Sequence, residues 1–242
     1  NPLDWGTVKG LLSAIAAVEQ DPAVEIVVVT GNGPAFSAGG DLEKYIRLYA
    51  APDDFHRFLR DFHELLDRIE RSPRTFVAAV NGVCVAGGLE LILACDVVII
   101  AAEARIADGH LNFGQLPGAG GSQRLPRAIG VLRAKELILS GRFIDAREAQ
   151  AIGLASICAP EGKLRETVDD FTRRLQQKSH AGRRGAKYLV NEGMKGSLAN
   201  GLELELTYVH NYATTHPDAV EGLMAFKENR KPRFRPAAPD AG

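Results

Sequence analysis

Apolar and polar residues along this chain follow two different periods, and the changes of period mark its elements. From Asp4 to Gln20, Leu11, Leu12, Ile15 and Val18 recur at helical spacing and Asp21-Pro22 closes the segment, which predicts a surface helix. Residues 24–30, VEIVVVT, form a short β-branched run ending in Gly31-Asn32-Gly33-Pro34, the pattern of a strand buried on both faces. A glycine-rich loop is expected to follow, through Gly39-Gly40. Between Asp54 and Arg71, apolar positions at Phe55, Phe58, Leu59, Phe62, Leu65, Leu66 and Ile69 predict a long amphipathic helix that Ser72-Pro73 stops.

Phe76 to Val80 reads as a second buried strand, Asn81-Gly82 as a turn, and Gly87 to Ala94 as a short helix leading into a strand from Asp96 to Ile100. After a loop from Asp108 to Gly121 the pattern is mostly helical, with a small strand near Ala155 to Cys158. Residues 180–230 read as helix with short breaks, and Pro232 to Gly242 as a loose tail. Strand–helix units followed by helices predict an α/β core with a helical C-terminal segment. Residues 83–102 are apolar over a length that could cross a membrane, yet Glu90 and Asp96 lie inside them. Gly87, Gly88 and the β-branched run 97–100 fit a helix followed by a buried strand instead, so no membrane span is expected.

The composition narrows the classes further. With 242 residues, 45% hydrophobic and 24% charged, the chain is long enough to bury a sizeable core and is not a disordered one. A formal net charge of -1 supplies no global field for nucleic acid or an anionic membrane, so neither is an expected partner. Cys84, Cys95 and Cys158 are odd in number and lack metal-ligand spacing, which fits a reducing, cytoplasmic setting rather than a disulfide scaffold or a zinc site. Asn1 to Trp5 carries no secretory signal pattern.

Familiar motifs are mostly missing. Gly31-x-Gly33 has no third glycine and runs into Pro34, and there is no Walker A lysine, G-x-S-x-G elbow or H-E-x-x-H. Two glycine-rich loops remain, GNGPAFSAGGD (31–41) and NGVCVAGGLE (81–90), each directly after a buried strand, where ligands bind in open α/β sheets. Glycines that only make tight turns would look the same. A helix starting near Gly87, however, offers unpaired N–H groups and a positive dipole end, and two such donors can make an oxyanion hole. Glu90 falls one turn into that helix among Leu89, Leu91, Ile92 and Leu93, where an unpaired carboxyl has a raised pKa suited to acid/base work.

Five segments in fixed order, AFSAGGDL (35–42), NGVCVAGGLELILACD (81–96), FGQLPGAGGSQRLPR (113–127), SGRFIDAREAQAIGL (140–154) and EGLMAFKENRKPRF (221–234), resemble the enoyl-CoA hydratase/isomerase (crotonase) superfamily over nearly the whole chain. The resemblance implies an α/β fold built as a crotonase-like spiral of repeated ββα units (residues 1–178), then a C-terminal helical trimerisation region and tail (179–242). Asn1-Pro2-Leu3 resembles the family segment that follows the first two strands, so those strands are expected to be absent. The backbone N–H groups of Gly40 and Gly87 would form the oxyanion hole for a thioester oxygen, and Glu90 would be the first acid/base carboxylate. Ala38, Asp41, Leu42, Gly88, Pro117 and Gly118 would contact an acyl-CoA substrate, coenzyme A entering only as part of that thioester. No further cofactor and no metal are implied, and the assembly would be a homotrimer or hexamer.

One position departs from the family pattern. The hydratases carry a second glutamate seven residues before the proline of the P-G-A-G-G segment, and here that place is His110, with Asp108 two residues earlier. Hydration of a 2-enoyl thioester needs one group to take a proton from water and another to position it or protonate Cα, which a Glu90/His110 pair can do. Double-bond isomerisation needs one proton shuttle, and family members that hydrolyse carbon–carbon bonds use His and Asp to activate water. Hydration is the first expectation, isomerisation or carbon–carbon hydrolysis through His110 the alternatives. A non-catalytic CoA-ester- or RNA-binding member is the rival from another class.

Weaker candidates have plainer readings. His56 and His63 lie seven apart on the long helix without a third ligand, Ser122 reads as a helix cap, Cys84 and Cys95 as packing groups, and Asp96 as a structural hydrogen-bonding residue. Arg183, Arg184, Lys187 and Lys195 read as a solvated helix face. Leu202, Leu204, Leu206, Val220, Leu223 and Phe226 exceed what a solitary surface helix needs and point to packing against a core or sister subunits. Pocket walls are expected from distant segments, including residues 44–62.

Overall fold

In the computed structural model, which describes residues 1–235, each long apolar run becomes a strand of one sheet and a short run just after it a strand of a second. The pairs are β1 (Ile26–Thr30) and β2 (Ala35–Ser37), β3 (Thr75–Val80) and β4 (Val83–Val85), and β5 (Val97–Ala101) and β6 (Arg105–Ala107). β7 (Ile144–Asp145) and β8 (Ile157–Ala159) complete the sheets, ordered β1-β3-β5-β8 and β2-β4-β6-β7. β2 and β4, β3 and β5, β4 and β6, and β5 and β8 pair in parallel, whereas β7 joins β6 antiparallel. The helices are α1 (Trp5–Gln20), α2 (Leu42–Tyr49), α3 (Pro52–Arg71), α4 (Gly87–Leu93), α5 (Gly121–Ile129), α6 (Val131–Ser140), α7 (Ala146–Ala151), α8 (Leu164–Gln176), α9 (His180–Gly193), α10 (Leu198–Thr215) and α11 (Pro217–Lys227). A 3-10 turn covers His110–Phe113.

Two compact units share the chain. The larger takes in Asn1–Ala17, Val28–Glu70 and Phe76–Asp169, and the smaller Val18–Val27, Arg71–Thr75 and Asp170–Gly242. In the larger unit, β3, α4 and β5 are almost wholly buried, and Phe58, Phe62, Leu65, Leu66 and Ile69 of α3 complete its core. Asp96 accepts the Phe76 N–H at 2.7 Å and so performs the structural task expected of it.

The structure corrects several expectations. β1 is not buried on both faces: Val28 is 42% exposed, because β1 is an edge strand of its sheet. The glycine-rich loop contains β2, and three further strands, β4, β6 and β7, were not expected; strands of two or three residues are too short to show a period. α2 was also missed, although Leu42, Tyr45, Ile46 and Tyr49 stand at i, i+3, i+4 and i+7 behind the N-cap Asp41, whose side chain accepts the Lys44 N–H. The cap of α5 is Gly120, at φ 104°, and Ser122 lies inside the helix.

In the smaller unit, Arg183 and Lys187 are anchors rather than solvated charges. Arg183 pairs with Glu25 and is nearly buried, and Lys187 Nζ donates to the Arg74 carbonyl at 2.9 Å. Residues 83–102 divide into β4, α4 and β5, and no described helix is long and apolar enough to cross a membrane. Of the tail expected from Pro232, residues 236–242 lie outside the described residues.

Candidate active site

The two glycine-rich bends meet in the larger unit. Asn81 fastens them, its side chain accepting the Gly31 N–H at 2.9 Å and donating to the Gly33 carbonyl at 2.8 Å. Beyond β4 the chain turns through Ala86, which at φ 51° and ψ -118° is strained for a residue with a side chain. Its N–H is held by the carbonyls of Ala107 and Asp108 at the end of β6, so the start of α4 is tied to the segment that carries His110. Among the described residues, neither the Gly40 nor the Gly87 amide donates a hydrogen bond within the protein.

Glu90 lies on α4 with only 2% of its surface exposed. Its Oε1 accepts the N–H groups of Ala119 and Gly121, both at 2.8 Å, at the N-terminus of α5. A side chain at Gly121 would stand 3.1 Å from Glu90 Oε1 and Cγ, so the glycine is what lets the carboxylate reach the helix end. Burial pushes the Glu90 carboxyl above the usual carboxylate range; the Gly121 amide, protonated His110 and the Ala119 amide pull the other way without reversing it.

Glu90 Oε2 faces His110 Nε2 at 3.9 Å. The other imidazole nitrogen, Nδ1, is 3.1 Å from Asp108 Oδ1, and Asp108 is 1% exposed. Burial alone would lower the His110 pKa, but the Asp108 hydrogen bond and the Glu90 charge outweigh it and leave it raised.

A cavity of about 750 Å³ gathers these groups. Gly40, Gly87, Glu90 and His110 all line it, and its wall is aromatic and aliphatic: Leu42, Tyr45, Ile46 and Tyr49 from α2, Phe55, Leu59 and Phe62 from α3, and Phe113, Leu116 and Phe143. The apolar face of α2 therefore points at the cavity rather than at a core, which is why none of its residues is buried. Tyr45 lies edge-on to Phe58 and Tyr49, with ring centroids 5.5 and 6.0 Å away, and the Tyr49 hydroxyl donates to the Gln115 side chain.

This arrangement has counterparts among known proteins. The family model for enoyl-CoA hydratase/isomerase matches residues 1–237. The chain belongs to that family. Human mitochondrial methylglutaconyl-CoA hydratase is 35% identical over 97% of this chain and 70% of its own length. An enoyl-CoA isomerase/hydratase of Mycosarcoma maydis is 35% identical over 93% of this chain and 81% of its own. The crystal structure of an enoyl-CoA hydratase from Bacillus anthracis superposes with a TM-score of 0.90 at 33% identity, over 96% of this chain and 90% of that one. The fold is thus the crotonase fold, and the protein is an enzyme of the hydratase/isomerase type.

Within this family member, the residues singled out from the sequence separate into two groups. Ala38, Gly40, Leu42, Gly87, Glu90, His110 and Gly118 line the one cavity. Asp41, Gly88 and Pro117 do not: Asp41 caps α2, Gly88 packs against Ser37, and Pro117 packs on Gly121. The P-G-A-G-G segment serves chiefly as the cradle of Glu90, through Ala119 and Gly121. His63 donates through Nε2 to the Gly118 carbonyl at 2.9 Å. Among the described residues, no group of three His, Cys, Asp or Glu side chains could hold a metal. The pocket walls expected from residues 44–62 are there, in Tyr45, Ile46 and Tyr49 of α2 and Phe55, Leu59 and Phe62 of α3; that residues 42–49 form a helix was not foreseen, and the i, i+3, i+4, i+7 spacing of Leu42, Tyr45, Ile46 and Tyr49 was the signal for it.

Proposed function

We propose that the protein hydrates a 2-enoyl-CoA thioester whose acyl group is uncharged. The observation that carries this reading is Glu90 Oε2 facing His110 Nε2 across 3.9 Å, on a cavity also lined by Gly40 and Gly87. The thioester oxygen accepts the Gly40 and Gly87 N–H groups, which stabilise the enolate more than the ground state because charge collects on that oxygen only as the reaction proceeds. Glu90, as carboxylate, takes a proton from water while the oxygen of that water bonds to Cβ. His110, as imidazolium, gives its proton to Cα as the enolate collapses, and the proton taken up by Glu90 then passes to His110 to restore both groups, so one water is added in all. Dehydration is the same path reversed. These groups supply every proton transfer, and no cofactor beyond the coenzyme A of the substrate is required.

The aromatic and aliphatic wall favours an apolar acyl chain. The helices after residue 178 are read as the surface of a homotrimer or hexamer, supported by Leu202, Leu206, Leu223 and Phe226, each more than half exposed. A cytoplasmic setting belongs to the same reading.

The test is incubation with crotonyl-CoA and with longer, branched and aryl 2-enoyl thioesters. Loss of the conjugated enoyl absorbance with a product heavier by one water is expected. A product of unchanged mass would mean isomerisation, a cleaved acyl chain would mean carbon–carbon hydrolysis, and tight binding without conversion of any thioester would mean a non-catalytic member; each overturns hydration.

A further inference from the structure

Asp108 is a buried carboxylate that the proposed hydration does not use, yet it touches a residue that the hydration needs. It follows β6 directly, and Gly109, at φ 68°, turns the chain so that the imidazole of His110 folds back onto it. Oδ1 stands 3.1 Å from His110 Nδ1 and 3.4 Å from the His110 amide nitrogen, whereas Oδ2 is buried with no hydrogen-bond partner among the described residues. A buried carboxylate with one free oxygen needs compensating charge close by. The titratable group in contact with it is His110.

We infer that Asp108 is a positioning residue that makes His110 the acid of this site: it holds Nδ1, leaves Nε2 as the nitrogen that carries the mobile proton, and balances the imidazolium charge. This rests on the reading of His110 as the group that protonates Cα. The proton inventory explains why the exchange of a carboxylic acid for histidine is workable. A pair of carboxyl groups sharing one proton carries a single negative charge and one mobile proton. Glu90, protonated His110 and Asp108 together carry the same single negative charge and the same one mobile proton. A Glu–His pair without Asp108 would be neutral in that protonation state, and the imidazolium would lose its nearest counter-charge.

The charged groups facing His110 support this assignment. Glu90 faces it from α4 and Asp108 from the end of β6, and both favour the imidazolium. α6, which packs on the 3-10 turn, contributes a hydrogen bond from Asn112 to the Gly141 carbonyl at its C-terminus, at 3.0 Å, and no charge acting on His110. Tyr45, from α2, is itself raised by its burial and by the Glu90 charge, and it is not among the groups that act on the imidazole.

Asp108→Asn tests the proposal on the full chain by two independent readouts. The first is the titration of His110 in substrate-free protein, followed by NMR with labelled histidine and assigned by the signal lost in His110→Gln. It is expected to move to lower pH in Asp108→Asn; an unchanged or upward titration overturns the proposal. The second is kinetics: kcat is expected to fall about tenfold or more on the alkaline side, with KM within about threefold. The alkaline limb should move to lower pH, and Asp108→Asn should cost nothing further in a His110→Gln background. Independent, multiplicative losses in that double variant would show that Asp108 acts other than through His110. Should Asp108→Asn fail to fold, Asp108→Ser must lower the His110 titration in the same way. If no thioester is hydrated while the titration still moves, the hydration reading fails and the Asp108–His110 pair stands; hydration with an unmoved titration gives the reverse.

Discussion

His110 Nε2 and Glu90 Oε2 face each other at 3.9 Å, while the far oxygen of the same carboxylate is held by the Ala119 and Gly121 amides. That separation is beyond a hydrogen bond, so the two groups do not bond to each other directly, and a molecule in the cavity is what can bridge them. Glu90 is thus oriented from behind, by backbone, and free in front. The reaction proposed here depends on that division of its two oxygens.

Glu90→Gln keeps the shape and removes the base. It is expected to lower kcat by about 10²-fold or more while CoA-thioester binding survives. Steady-state kinetics alongside calorimetric titration with a saturated acyl-CoA would check this, and unchanged turnover would remove Glu90 from the mechanism.

The activity should be bell-shaped in pH, with both limbs displaced upward from those of the free side chains. Glu90 acts ionised, and burial raises its pKa, so activity is lost as pH falls at values higher than for an ordinary glutamate. His110 acts protonated; burial opposes this, but Asp108 and Glu90 raise its pKa, so activity persists above the ordinary histidine range and then declines. A kcat/KM profile in the free enzyme would show it, and a rate that rose through the alkaline limb would contradict the roles assigned.

Gly121→Ala places a methyl group 3.1 Å from Glu90 Oε1 and Cγ and from Pro117 Cβ, in a buried position. Overpacking of this kind costs about 1–3 kcal/mol. The expected result is a lowered melting temperature together with a reduced kcat, since the carboxylate must leave the Gly121 amide to make room; a variant as stable and active as the parent would refute the cradle.

Gly40→Ala meets a ring instead of a carboxylate. Its Cβ would lie 2.3 Å from Tyr45 Cε2, and Tyr45 is itself wedged against Phe58 and Tyr49. A loss of about 1–3 kcal/mol is expected in chemical denaturation. Most of it should return in the double variant Gly40→Ala/Tyr45→Ala, because the space is then vacant; equal destabilisation in both would show that the clash is not with Tyr45.

Much of the fold was legible along the chain. The period of α3 and the β-branched runs of β3 and β5 announce themselves, because a long element buried on one or both faces must repeat its apolar residues. β2, β4 and β6 did not, since three residues hold barely one alternation. Their presence doubles the sheet and turns simple strand–helix units into the two-strand repeat. At the site, Glu90 stood out as a carboxylate inside an apolar helix, and His110 as an exchange at one position of a recognisable segment. What the amides of Ala119 and Gly121 do for Glu90 was hidden, because the partners lie 29 and 31 residues away and a backbone N–H has no signature in sequence. Arg183 illustrates the opposite error: a basic residue in a charged helix looks solvated until Glu25, distant in the chain, is found beside it.

The amino-acid sequence by itself determined the longer elements and the family, and singled out Glu90 and His110 as the candidate pair, because periodicity and motif are local properties of a chain. Only the tertiary structure decided which oxygen of Glu90 is held and which is free, that Asp108 grips His110, and that α2 turns its apolar face to a cavity. Those are matters of distance and direction between remote segments, and the packing of whole elements sets them.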